Sequence, residues 1–426
     1  MVSENGPIDR QRCVELDRAD PLAALRAQFT IPDGLIYLDG NSLGPLPAAT
    51  PARVQDAMSI EWGRDLIGSW NTHDWMQLPA KIGNKIARLV GAGDDELIVA
   101  DSTSVNLFKV LTAAAQIVRR LAPGRTEIVS ERLNFPTDLY IAESVASANG
   151  LTLRLVDLDP TRGIDAVLDD ATAIVLFTHV DYRTGRMHDM ADVTHRVHSA
   201  GALMVWDLAH SAGAVPVDLT AADADFAIGC GYKYLNGGPG APAFVWVNPR
   251  HVDEPQPLRG WLGHAAPFDF MPEYRQADGI VGYQCGTPPI LSMVALECGV
   301  DTVLAADAHG GMEALRAKSL ALTSTFMELL APVCADHDLR VVTPSEPSVR
   351  GSQVSFAAPE GSYYMVQALI ARGVVGDFRA PDIARFGCVP LYTRFVDIWD
   401  AVEHIRAVLD SDEWREPRFA ARSAVT

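Results

Sequence analysis

The 426-residue chain is short of several things, and each shortage narrows the choice. It has no apolar run approaching the roughly 20 residues that a membrane-spanning helix needs, so no membrane is expected as a partner. It is short of positive charge: 35 Lys and Arg stand against 54 Asp and Glu, a net charge of −19. That balance argues against nucleic acid and anionic membranes as partners, and it obliges any anion site to supply its own local cations. The six cysteines (Cys13, Cys230, Cys285, Cys298, Cys334, Cys388) form no CxxC pair, which reads as reduced thiols in a cytosolic protein. The opening MVSENGPIDRQR has no signal-peptide core, so a cytoplasmic location is expected. Neither GxGxxG nor GxxxxGK[ST] occurs; Gly237-Gly-Pro-Gly240 follows a lysine instead of opening a helix, which argues against dinucleotide and nucleoside triphosphate chemistry. His195 and His198 share a helix face without a third ligand, so no metal is expected. Internal repeats and low-complexity segments are also missing.

Apolar residues make up 48% of the chain, enough for a large core. From Glu96 to Val247 short apolar runs alternate with helical spacing. Strands are expected at 96–100, 127–130, 152–156, 173–178, 202–206, 225–229 and 243–247, and helices at 105–121, 138–149 and 191–200. About seven strands separated by helices imply an α/β fold with a mostly parallel sheet covered on both faces. Before this region, 21–28, 48–67 and 79–90 have helical spacing, with Gly68 to Asn71 as a break. After Pro288-Pro289 the pattern becomes that of a smaller α+β unit ending in a helix at 395–409, with a frayed tail from Arg415. The expected division is an N-terminal segment, 1–60, packing on the small domain, a large domain at 61–290 and a C-terminal α+β domain at 291–426.

The most informative stretch runs from Trp206 to Gly240. One buried strand gives out at Asp207 and another leads to Tyr232-Lys233-Tyr234, the places where open α/β sheets hold ligands. A strand-end Asp is often only a helix cap, and a single Lys is usually solvated. Two flanking tyrosines after an apolar strand are poor company for a surface lysine. A carboxylate with a lysine downstream is what pyridoxal 5′-phosphate (PLP) requires: the amine binds the cofactor covalently, and the acid keeps the pyridine nitrogen protonated. Asp101-Ser-Thr-Ser104 opens a helix and reads either as an N-cap or as an anion site. Phe135-Pro-Thr-Asp138 reads either as a capped turn or as a ring-stacking wall.

WDLAH followed by GCGYKYLNGGPG resembles kynureninase, a PLP enzyme of fold type I in the class V aminotransferase-like superfamily. YLDGNSLGPLP (37–47), FPTD (135–138) and IARFGCVPLY (383–392) are similar to the same family in the same order, so the resemblance covers about residues 30 to 410. It implies a hydrolase that splits L-kynurenine, or its 3-hydroxy form, into anthranilate and L-alanine in tryptophan catabolism, feeding NAD biosynthesis. It implies Lys233, Tyr232 and Asp207 as catalytic residues. The cofactor pocket would add Thr103 and Ser104 at the phosphate, then Phe135, Pro136, Thr137, Asp138, Thr178 and His210. Trp261 and Thr287 would reach the cofactor phosphate of a neighbouring subunit, since the family's members are homodimers with shared sites. Arg385 is the substrate-carboxylate candidate, with Arg379 and Arg394 as rivals; Asn41, Ser42 and Trp70 are candidates for the aryl side. Asp207, beside a cationic ring nitrogen, is expected to have a lowered pKa. A cysteine desulfurase or small aminotransferase of the same superfamily, and a catalytically silent PLP-fold binding protein, are the alternatives.

Overall fold

The computed structural model describes residues 8–158 and 163–421. The chain divides into two compact units: residues 50–182 with 188–300, and residues up to 49 with 183–187 and from 301 onward. The sequence expectation drew these limits at 60/61 and 290/291 and did not foresee the strip at 183–187.

The larger unit is built on a seven-stranded sheet. Its strands are β1 (Leu97–Val99), β2 (Glu127–Glu131), β3 (Thr152–Val156), β4 (Thr172–Thr178), β5 (Leu203–Asp207), β6 (Phe226–Gly229) and β7 (Phe244–Val247), in the order β1-β7-β6-β5-β4-β2-β3. The pairs β2–β3, β2–β4, β4–β5 and β5–β6 are parallel, and β7 runs antiparallel to both its neighbours. Helices α1 (Leu78–Val90), α2 (Thr103–Leu121), α3 (Pro136–Asn149) and α4 (Met190–Ser199) accompany it. Every residue of β4, β6 and β7 is buried, which is why these strands read as unbroken apolar runs instead of alternating ones. Leu107, Val110, Leu111 and Ala114 of α2 share a core with Ile128, Ile174, Val205, Ile228 and Val245 of the sheet.

The smaller unit carries four antiparallel strands, β8 (Arg340–Val341), β9 (Gln353–Ala357), β10 (Asp377–Arg379) and β11 (Ile383–Gly387), in the order β8-β9-β11-β10. Its helices α5 (Gly311–His337), α6 (Ser362–Ala371) and α7 (Phe395–Asp410) enclose Phe326, Phe356, Leu369, Phe386 and Ile405. A polar helix at Arg10–Ala19 belongs to this unit and was not expected, because only Cys13 of it is buried. It is fixed to α7: Asp17 accepts from the Phe395 and Val396 N–H groups at 2.6 and 3.0 Å, capping that helix.

Other expectations need correction. The helix expected at 21–28 is a 3-10 turn over Ala23–Gln28. The single helix expected at 48–67 is a helix at Thr50–Asp56, a π-type turn at Ala57–Trp62 and a 3-10 turn at Leu66–Gly68, while the expected break contains the short helix Ser69–Thr72. The tail is ordered as far as Ala421, since Phe419 is buried and Tyr363 Oη donates to the Ala421 carbonyl at 3.1 Å. Residues 422–426 and the first seven lie outside the described residues. Among the described residues no helix is long and apolar enough to cross a membrane.

Candidate active site

The parallel strands β4, β5 and β6 end side by side, with Thr178 paired to Asp207 and Asp207 to Ile228. Their carboxyl ends open onto a cavity of about 170 Å³ within the larger unit. Thr103, Ser104, Phe135, Thr137, Asp138, Thr178, Asp207, His210, Tyr232 and Lys233 line it, together with Tyr182 and Ala209. Ten of the sequence candidates thus meet in one place.

Lys233 is carried by a closed loop after β6. The Gly237 N–H donates to the Gly231 carbonyl and the Asn236 N–H to that of Lys233, both at 2.9 Å. The loop lies so close to its neighbours that a Cβ on Gly231 would stand 2.4 Å from the Pro242 carbonyl oxygen. Lys233 Nζ is 3.0 Å from His210 Nε2 and 5.9 Å from the centre of the Phe135 ring. Phe135 in turn meets Tyr182 edge to face at 5.2 Å.

Asp207 is buried and accepts from the Ala209 N–H at 2.7 Å. Burial raises its pKa, opposed by the positive charge of Lys233. The lowering expected from the sequence assumed a cationic ring nitrogen; among the protein's own contributions, burial outweighs the lowering by Lys233 and the Ala209 N–H. Asp138 is raised well above the usual carboxylate range by burial and by the neighbouring charge of Asp207, and its Oδ2 is buried without a hydrogen-bond partner. The Tyr232 phenol is pushed up by the adjacent Cys230 and by burial.

Thr103 and Ser104 stand in the first turn of α2, a 19-residue helix capped by Ser102, whose side chain accepts from the Val105 N–H. The helix's free N–H groups and positive dipole end suit a phosphate. Asn134, which the sequence reading missed, holds two lining residues: its Oδ1 accepts from the Phe135 N–H at 2.6 Å and from the Thr178 hydroxyl. Its position directly before FPTD was the available signal. Tyr182, four residues after Thr178, was also missed.

The remaining candidates lie elsewhere. Pro136 is exposed as the first residue of α3 and does not line the cavity. Trp70 packs edge to face on Trp75 at 5.6 Å. Trp261, 41% exposed, packs on Phe268, and Thr287 is exposed. His198 is engaged with Asp225 at 2.8 Å. In the smaller unit Arg385 and Arg379 both reach Asp377, whereas Arg394 pairs with Asp397 at the start of α7 and borders an open groove of about 1000 Å³ lined by mixed charges. Asn41 is fully buried against β11, where a Cβ on Gly387 would approach its Oδ1 to 2.4 Å.

An amine facing an aromatic ring, two buried carboxyls, one with an orphaned oxygen, and a helix N-terminus on the same cavity are the donor set that PLP requires. A family profile for Cys/Met metabolism PLP-dependent enzymes matches residues 100–241, and one for the kynureninase C-terminal domain matches residues 315–405. In fold the chain is similar to a cysteine desulfurase from Thermococcus onnurineus NA1 (TM-score 0.76, 18% identity, covering 91% of this chain and 98% of that one). The cysteine desulfurase CsdA from Escherichia coli is similar too (TM-score 0.75, 20% identity, covering 92% and 98%). Fold and site together define a PLP-dependent enzyme of fold type I. Kynureninases from Burkholderia mallei (strain SAVP1) and Burkholderia pseudomallei (strain K96243) are each 56% identical to the chain, and one from Pseudomonas fluorescens is 53% identical. Each of these alignments covers 98% of the chain and 99% of the relative. The chain belongs to the kynureninase family, PLP-dependent hydrolases of carbon–carbon bonds.

Proposed function

We propose that the protein hydrolyses L-kynurenine to anthranilate and L-alanine as a step of tryptophan degradation that feeds NAD biosynthesis. What carries this reading is the likeness over nearly the whole chain to relatives named kynureninase, joined to a cavity whose lining matches the chemistry. Bound PLP supplies an electron sink for negative charge developing on the substrate carbon beside the amine.

The protein's own residues do the rest. Lys233 Nζ would hold the cofactor covalently and, as a free amine, would take and return the proton at the substrate Cα. Asp207 would keep a proton on the ring nitrogen. Phe135 would fix the plane of the ring, and Asp138 and His210 would hold its polar edge. Thr103 and Ser104 would take the phosphate. Tyr232, its phenol held protonated, would donate a proton to Cβ as the Cβ–Cγ bond breaks, the acyl carbon leaving as the carboxylic acid with the oxygen of one water. Arg385 would attract the substrate carboxylate through its guanidinium charge. We infer a cytoplasmic homodimer in which Trp261 and Thr287 serve the partner's site; their exposure in the single chain fits that reading.

The desulfurase alternative needs a reactive thiol on a mobile loop. Cys334 lies within α5 and Cys388 is fully buried, and burial raises both thiols. The deciding experiment incubates the PLP-loaded protein with L-kynurenine, 3-hydroxykynurenine and L-cysteine. Fluorescent anthranilate is expected from L-kynurenine, and the activity that forms it should sediment with a species twice the 46.0 kDa chain mass. Sulfide from L-cysteine with no anthranilate would overturn the reading, and activity confined to a single-chain species would remove the dimer.

A further inference from the structure

A charged cluster in the smaller unit brings together residues for which fold and cofactor have no use. Asp377 on β10 stands directly across the ladder from Arg385 on β11, the position at which opposite charges support each other. Their side chains are 0% and 1% exposed. Asp377 Oδ1 accepts from Arg385 Nε at 2.8 Å, and Oδ2 accepts from Nη2. Arg379 Nη2 reaches the same Oδ2 at 2.7 Å. The Ser42 hydroxyl bridges the group: it donates to Asp377 Oδ2 at 2.5 Å and accepts from Arg385 Nη2 at 2.8 Å and Arg379 Nη2 at 3.1 Å.

A second carboxyl faces this cluster from the loop that carries Ser42, whose N–H donates to the Asp39 carbonyl at 2.9 Å. The Asp39 side chain is half-buried, with Oδ1 buried and lacking a hydrogen-bond partner. Burial and the charge of Asp377 push its pKa up to about 7, against the pull of Arg385 and Ser42. Asp377 moves the other way: burial would raise it, but Arg385, Arg379 and Ser42 outweigh that. Tyr37 also faces both acids, and burial and their charges keep its phenol protonated.

Stability alone does not account for such a cluster. Taking ions out of water costs several kcal/mol each, and apolar replacements of buried ion pairs are often as stable or more so. What the arrangement secures is a guanidinium fork fixed in plane, in a cluster whose net charge is positive while Asp39 is protonated and zero once it ionises.

We propose that Asp377 is the positioning residue of the substrate-carboxylate site: it fixes the Arg385 fork through a bidentate contact bridged by Ser42, and Asp39 sets the charge the fork presents to an anion. The proposal rests on the reading of Arg385 as the carboxylate anchor, and it moves Ser42 from the aryl side of the substrate to the carboxylate side. Anion binding should therefore weaken as pH rises through about 7.

The test is steady-state kinetics of the PLP-loaded enzyme with L-kynurenine from about pH 6 to about pH 9, alongside PLP affinity by absorbance. Asp377→Asn should raise KM about tenfold, the scale of one misaligned charge-assisted hydrogen bond. It should leave kcat and PLP affinity within about twofold, and Asp377→Glu should recover part of the loss. The parent's KM should rise above pH 7, and Asp39→Asn should flatten that rise. An unchanged KM in Asp377→Asn, or KM and PLP affinity lost together, would overturn the proposal. If Asp377→Asn does not fold, Ser42→Ala carries the same expectation of a raised KM with unchanged PLP affinity, and its failure has the same meaning. Arg385→Lys separates the two layers: if it leaves KM unchanged, the anchor reading falls and this proposal with it. If it raises KM while Asp377→Asn does not, only the proposal falls.

Discussion

Asp138 and Asp207 are two carboxyls buried beside one cavity, with the Lys233 ammonium acting on both. A carboxyl raised above its usual value of 3.8 holds its proton longer folded than unfolded. Its stabilising share is therefore full below that value and is lost as pH rises through the folded pKa. Asp138→Asn removes the charge that burial penalises. In the cofactor-free protein it should raise the melting temperature more at pH 8 than at pH 5, while weakening PLP binding in a titration; an equal gain at both pH values would show that Asp138 is not the titrating group. At this scale the motifs made much of the cavity legible, because WDLAH, YKY and FPTD are local strings that end strands or open helices. Tyr182 and Asp377 were not legible, and Asn134 was signalled only by its place before FPTD. Their roles come from what they touch: Thr178 lies 44 residues from Asn134, and Asp377 works through a strand partner and a loop 335 residues away. The orientation of Arg385 was hidden for the same reason.

Among the elements, the parallel strands are held at their amino-terminal edge by Asp225, just before β6. Its Oδ2 accepts from the Met204 N–H of β5 at 2.7 Å and contacts His198 of α4 at 2.8 Å; its Oδ1 takes Arg250 at 2.7 Å and His251 at 2.8 Å, both beyond β7. Burial would raise this acid, but hydrogen bonds from His198 and His251 outweigh it and hold it well below the usual range. A lowered carboxylate gives its stability above the unfolded value and loses it as pH falls towards the folded one. Asp225→Ala should cost about 3 kcal/mol at pH 7 by urea denaturation. The difference should shrink on acidification below about pH 4; a difference under about 0.5 kcal/mol, the range of ordinary surface changes, would show that the staple is decorative. The strands themselves were readable because burial on both faces leaves unbroken apolar runs. The helix at Arg10–Ala19 was not, since much of its hold on the fold is polar, through Asp17 to the start of α7 and Arg10 to Asp400, with Cys13 as its one buried residue.

For the whole molecule, the net charge of −19 makes each local cation informative. Lys233 and the N-terminus of α2 supply positive potential in one unit; Arg379 and Arg385 supply it in the other, both held by Asp377. The composition of the two units was visible in outline, as alternating α/β followed by α+β. The strip at 183–187 was not, because its place is set by backbone pairing of Gly185 and Met187 with Gly351 and Val349, far along the chain. On the proposed function, one amine, that of Lys233, holds PLP. Borohydride reduction of the PLP-loaded enzyme followed by peptide mass mapping tests it most directly. The peptide containing Lys233 should carry the reduced phosphopyridoxyl group, and Lys233→Ala should carry none at that position and lose turnover by at least about 10²-fold. Label on another lysine such as Lys109, or an unlabelled chain that still turns over L-kynurenine, would contradict it.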